Sequence, residues 1–140
     1  DDTYGGLLRL KYVLVEEADL NFIFFGANDA SPYHLIRPAE FRENLLKMIA
    51  QLGVERTVLI TPPFYNDDEP THYSKLSEVE LFREVTLNLG KEKSLKVIDI
   101  FQIMKGSENP KNLLRADGLH FTSRAYELLV REILSVIKNP

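Results

Sequence analysis

Apolar positions along the chain follow two alternating rhythms. Leu7, Leu8, Leu10, Val13 and Leu14 recur at helical spacing and predict an amphipathic helix from residue 6 to about residue 17. Phe22, Ile23, Phe24 and Phe25 form a continuous apolar run closed by Gly26, the pattern of a strand buried on both faces of a parallel sheet. Pro38 at a first helical position, followed by Phe41, Leu45, Leu46, Met48, Ile49 and Leu52 and ended by Gly53, predicts the next helix. Residues 56–61 read as a second buried strand, stopped by Pro62 and Pro63. Ser77-Glu78-Val79-Glu80 has the form of a capping box and opens a helix to about Asn88 or Gly90. Residues 95–100 read as a third strand. Thr122 or Ser123 caps a last helix, with Ala125, Leu128, Leu129, Ile133, Leu134 and Ile137 as the stripe that packs on the sheet.

Strands joined by helices must run parallel with right-handed crossovers, so the order predicts an α/β protein with a three-layer α/β/α architecture. Ligands in such sheets gather beyond the carboxyl ends of the strands. That points to the segments after Phe25, Ile60 and Ile100. Two polar loops, 65–74 and 106–112, interrupt the pattern, and the first is long enough to suspect a functional element.

Composition narrows the picture. At 140 residues and 44% hydrophobic, the chain predicts one domain spanning 1–140 with a sizeable core. The net charge of -4 and the scatter of Lys and Arg give no footprint for nucleic acid or an anionic membrane, so the expected partner is a small neutral or apolar molecule. With no cysteine, disulfides, thiolate chemistry and zinc knuckles are excluded, which suits a cytoplasmic protein. The apolar runs fall far short of the ~20 residues of a membrane span, and no signal peptide is visible. Asp1 is not an initiator methionine, however, so this says nothing of what the gene encodes upstream.

Two places could carry chemistry. Directly after the first strand, Gly26-Ala27-Asn28-Asp29 offers an amide that can donate to a developing oxyanion, beside a glycine that lets backbone and substrate approach. Asn28 and Asp29 could equally be turn formers bonding their own backbone. Near the end, Asp117 and His120 stand three residues apart. A carboxylate so placed can hold the Nδ1 proton and leave Nε2 as a base; it can also be a purely structural pair. His34 is read as an exposed loop histidine near the presumed cleft, His72 as solvated, and Asp67, Asp68 and Glu69 as a hydrated turn without calcium-loop spacing. No metal or cofactor site is expected, and no glycine-rich phosphate loop is present.

Taken together, Phe22 to Phe25 running into Gly26-Ala27-Asn28-Asp29 and the late Asp117-Gly118-Leu119-His120-Phe121 resemble the SGNH (GDSL-type) hydrolases, and small bacterial lipase/acylhydrolases in particular. The resemblance covers essentially the whole chain. It implies a flavodoxin-like SGNH fold and hydrolysis of a small-molecule ester through a Ser-His-Asp triad and an acyl-enzyme. By it Asn28 is an oxyanion donor within the Gly26-containing block, Asp117 the orienter and His120 the general base. The family's first strand ends in a Gly-Asp-Ser block bearing the nucleophile, and this sequence has no such tripeptide. Ser31, in a polar turn, is not expected to replace it. The expectation is therefore that the chain is the C-terminal three quarters of the domain, lacking about fifty residues with the N-terminal strands, and is inactive alone. The rival expectation is a non-catalytic module that binds a carbohydrate or acyl group.

Overall fold

The computed structural model describes residues 1–15, 18–68 and 74–139. Strands β1 (Asn21–Phe24), β2 (Thr57–Ile60) and β3 (Lys96–Ile98) are parallel and pair in the order β1-β2-β3, with Phe22 opposite Val58 and Ile60 opposite Ile98. Helix α1 (Thr3–Val13) precedes β1, α2 (Pro38–Leu52) leads to β2, and α3 (Leu76–Lys93) leads to β3. A short α4 (Ile100–Lys105) and the long α5 (Ser123–Lys138) follow. Every residue of β2 is buried, as a central strand covered on both faces must be.

Phe24 and Phe25 reveal the layering, because successive side chains of an extended chain point to opposite faces. Phe25 lies against α1 and α2: a β-carbon added at Gly6 would come 2.5 Å from its ring and 2.9 Å from the Met48 methyl. Phe24 turns the other way, toward Phe121, whose ring meets Tyr126 of α5. Helices thus cover both faces, the α/β/α order expected. An edge-on contact between Phe41 and Phe82, centroids 5.0 Å apart, joins α2 to α3.

Several boundaries differ from the periodicity, some of them for a polar reason. Helix α1 begins at Thr3 because Asp2 caps it, accepting the Gly5 N–H at 2.8 Å. Its described part ends at Val13, and Glu16 and Glu17 lie outside the described residues. The first two strands shrink to Asn21–Phe24 and Thr57–Ile60.

Ser77 does not cap α3. The helix starts at Leu76, whose N–H donates to Asp67 Oδ2 at 2.9 Å, so the cap comes from a distant loop. The same helix passes through Gly90, where a β-carbon would meet Val97 Cγ2 at 2.1 Å. That glycine serves close helix–strand packing, and Ser94 in the left-handed conformation ends the helix.

The third strand is only Lys96–Ile98, because Asp99 leaves the sheet to cap α4. Arg83 grips both of its oxygens at 2.9 and 2.6 Å. Ile100, expected to end the strand, instead opens α4 fully buried. On α5, Ala125 and Leu129 are buried, but Leu134 and Ile137 are exposed. Tyr4, Leu8 and Tyr12 of α1 are also exposed, and no described strand pairs with the outer edge of β1.

Candidate active site

A single antiparallel bridge between Leu114 and Phe121 pinches off the loop 115–120. The Arg115 N–H donates to the His120 carbonyl at 2.7 Å, and Gly118, at φ +69°, makes the turn that a side chain would disfavour. Inside this loop Asp117 Oδ1 accepts the N–H groups of Leu119 and His120, both at 2.9 Å, while Oδ2 lies 2.8 Å from His120 Nδ1. The His120 N–H, then the Leu119 N–H and the His120 ring, hold the Asp117 carboxyl down to about 2. An ionised carboxylate on Nδ1–H leaves the Nε2 lone pair available. No partner for Nε2 occurs among the described residues, and the His120 side chain is 67% exposed.

The turn after β1 is built against the first turn of α1. Gly26 adopts φ +111° with the Pro62 ring only 3.0–3.3 Å from where a β-carbon would stand, so the position accepts no side chain. Asn28 Nδ2 donates to the Asp1 carbonyl at 2.9 Å, which fixes the amide and leaves its second N–H. Asp29 is buried and accepts the Thr3 N–H at 2.9 Å, the Thr3 hydroxyl, and the Gly26 N–H at 3.1 Å. Burial pushes its carboxyl up, against the lowering effect of those three hydrogen bonds. Asn44 of α2 completes the strut by donating to Thr3 Oγ1 at 3.0 Å.

The two segments meet. A cavity of about 360 Å³ is walled by Asn28, Ser31, His34, Tyr65, Leu119 and His120 among others. A neighbouring one of about 270 Å³ adds Gly26, Phe24, Phe121 and Tyr126, and shares Ala27, Asn28, Pro63, Leu119 and His120 with the first. The Asn28 amide and the His120 imidazole thus border one space beyond the carboxyl end of β1, with Asp117 behind the imidazole. Ser31 is on the wall, but its Oγ accepts the Tyr33 N–H at 3.4 Å. Ser74 donates to the Ala30 carbonyl at 2.8 Å.

Other candidates fall differently from their sequence reading. His34 is not a bare loop histidine: its Nδ1 lies 2.7 Å from Asp2 Oδ2 and it lines the larger cavity. Burial works to raise the Asp2 carboxyl, yet the Gly5 N–H and His34 outweigh it and hold it low. Asp67 is no hydrated turn residue but the cap of α3, and Asp68 pairs with Lys111. His72 and Glu69 lie outside the described residues. Among the described residues, no three His, Asp or Glu side chains gather to hold a metal ion, and no helix is long and apolar enough to cross a membrane.

The residues that sequence reading missed are Asp1, Asp2 and Thr3. Asp2 is a good N-cap residue, which was a usable signal for the helix start. Nothing local marks its partner His34, nor Thr3 as the partner of Asp29.

Residues 1–128 match the GDSL-like Lipase/Acylhydrolase family. The chain is 30% identical over 142 aligned positions to a GDSL esterase/lipase of Arabidopsis thaliana, covering 89% of this chain and 46% of that protein. It is 29% identical to the isoamyl acetate-hydrolyzing esterase of Schizosaccharomyces pombe, covering 89% of this chain and 52% of that one. The chain therefore spans about half the length of these curated relatives. Among solved structures, the lipase/acylhydrolase from Enterococcus faecalis superposes with a TM-score of 0.95 at 41% identity, over 99% of this chain and 71% of the other. A match over residues 1–128, together with the shared fold, shows that the chain belongs to the GDSL-like lipase/acylhydrolase family.

Proposed function

We propose that the protein hydrolyses carboxylic esters through an acyl-enzyme, with His120 as general base, Asp117 as its orienter and Asn28 as an oxyanion donor. The observation that carries this reading is that the Asn28 amide and a His120 ring anchored at Nδ1 border the same cavity. A serine hydroxyl attacks the ester carbonyl while Nε2 takes its proton. The developing oxyanion accepts the N–H of Asn28 that the Asp1 carbonyl leaves free. Gly26, with no side chain, keeps the backbone beside the reacting centre open. The imidazolium, stabilised by the ionised Asp117, returns the proton to the leaving alcohol. Water then repeats the sequence on the acyl-serine and releases the acid.

Among the described residues no serine hydroxyl bonds His120, so the nucleophile in this reading is a serine from outside residues 1–140, in the Gly-Asp-Ser block that the family resemblance implies. The yeast relative that hydrolyses isoamyl acetate makes short alkyl acetates the first substrates to try.

The test is to treat the whole protein with a fluorophosphonate probe and map the labelled peptide by mass spectrometry. The expected result is one labelled serine outside residues 1–140, with labelling slowed by His120→Ala. An unlabelled protein would point to a binding module instead, and a label on Ser31 would move the nucleophile into this chain.

A further inference from the structure

On the cavity wall His34 belongs to a second aspartate–histidine pair that the reaction does not use. His34 Nδ1 lies 2.7 Å from Asp2 Oδ2, and the other oxygen of that carboxylate takes the Gly5 N–H at 2.8 Å as the cap of α1. The His34 backbone N–H donates to the Ser31 carbonyl at 3.1 Å, which holds the residue in its turn. The anchors are consecutive: the Asp1 carbonyl holds Asn28 and the Asp2 carboxylate holds His34, so the two residues that precede α1 set two polar groups on the wall of the same cavity. With Nδ1 committed as donor to a carboxylate, the neutral ring carries its lone pair on Nε2, and no described residue supplies a proton to it. The His34 side chain is 36% exposed, partly withdrawn from water. A ligand that seats against this acceptor and displaces its water without offering a donor loses free energy.

We propose that His34 is a specificity-determining residue whose Nε2 accepts the hydroxyl of a substrate carrying a free O–H close to its ester group, as in partial esters of a polyol. The proposal rests on the hydrolase reading for the word substrate, but the recognition itself is an equilibrium property and can be measured without turnover.

The probes are 1-O-butylglycerol, an ether that cannot be hydrolysed, and its di-O-methyl counterpart, which has no O–H donor. Binding to the whole protein is measured by calorimetric titration at about pH 8. The wild-type protein is expected to bind the diol about tenfold more tightly than the methylated ether, His34→Leu to bring the two within about twofold, and His34→Gln, whose amide oxygen can accept, to keep about threefold. A wild-type protein that does not discriminate overturns the proposal. So does a His34→Leu variant that keeps the full preference, since the added methyl bulk would then explain it. Glyceryl monobutyrate hydrolysis, assayed in parallel, separates the two readings: discrimination without hydrolysis speaks against the esterase reading alone, and hydrolysis without discrimination against His34 alone.

Discussion

Replacing the Thr3 hydroxyl with a methyl, in Thr3→Val, cuts the strut that ties the Gly26–Asn28 turn to the helices. Thr3 is fully buried, and its Oγ1 both donates to Asp29 and accepts from Asn44 Nδ2 at 3.0 Å. Valine keeps the branched shape, so packing changes little. What changes is that a buried Asn44 N–H loses its acceptor and the Asp29 carboxylate keeps only the N–H groups of Thr3 and Gly26. Each buried polar group left short costs about 1–3 kcal/mol, so with two of them the variant should lose about 2–6 kcal/mol. The Asp29 carboxyl, already pushed up by burial, rises further once a lowering hydrogen bond is gone. Asn44→Leu alone should also destabilise, but the double variant has no orphaned amide. Its loss should therefore fall short of the sum of the single losses by at least about 1 kcal/mol. Urea unfolding of the whole protein at pH 7 reads this as a shift in midpoint at unchanged slope. Additivity within about 0.5 kcal/mol would refute the coupled network.

Four further outcomes follow from the same structure. Asn28→Ala should lower kcat about a hundred- to a thousandfold with little change in KM, and steady-state kinetics showing wild-type turnover would remove Asn28 from the oxyanion role. Asp117→Asn puts an amide N–H or a neutral oxygen where the imidazole needs a carboxylate, and should cost about a thousand- to ten thousandfold in kcat, with the changed tautomer visible in imidazole ¹⁵N spectra. Because the folded Asp117 carboxyl lies at about 2, below its ordinary value of 3.8, its stabilising contribution is complete above that ordinary value and is lost only as pH falls through about 2. The stability difference between wild type and Asp117→Asn should thus shrink as pH is lowered from about 4 towards 2, and a difference unchanged across that window would contradict the assignment. Gly90→Ala gains about 1 kcal/mol of helix propensity, yet its methyl would stand 2.1 Å from Val97 Cγ2. The expected net is a loss of about 1–3 kcal/mol, and a raised melting temperature would refute the packing role.

The alternation of helix and strand was legible because backbone hydrogen bonding repeats locally. Apolar spacing alone therefore marks Phe22 to Phe25 as a strand and Phe41 to Leu52 as a helix face, but not the burial of that strand: β1 ends the described strand order, and within it only Ile23 is buried while Phe24 is exposed. Asp117 and His120 were legible for the same reason: three residues apart, they pair within one loop. The strand end at Asp99 and the start of α3 at Leu76 were not, because each depends on a carboxylate whose partner lies elsewhere, Arg83 for the one and the Leu76 N–H for the other. The same holds for Asp1 with Asn28, Asp2 with His34 and Thr3 with Asp29, which pair across 27, 32 and 26 positions. Local periodicity determines which segments become helices and strands, since it costs no long loop closure. Which polar side chains then share a cavity is decided only when the helices pack on the sheet and bring distant residues within hydrogen-bonding reach.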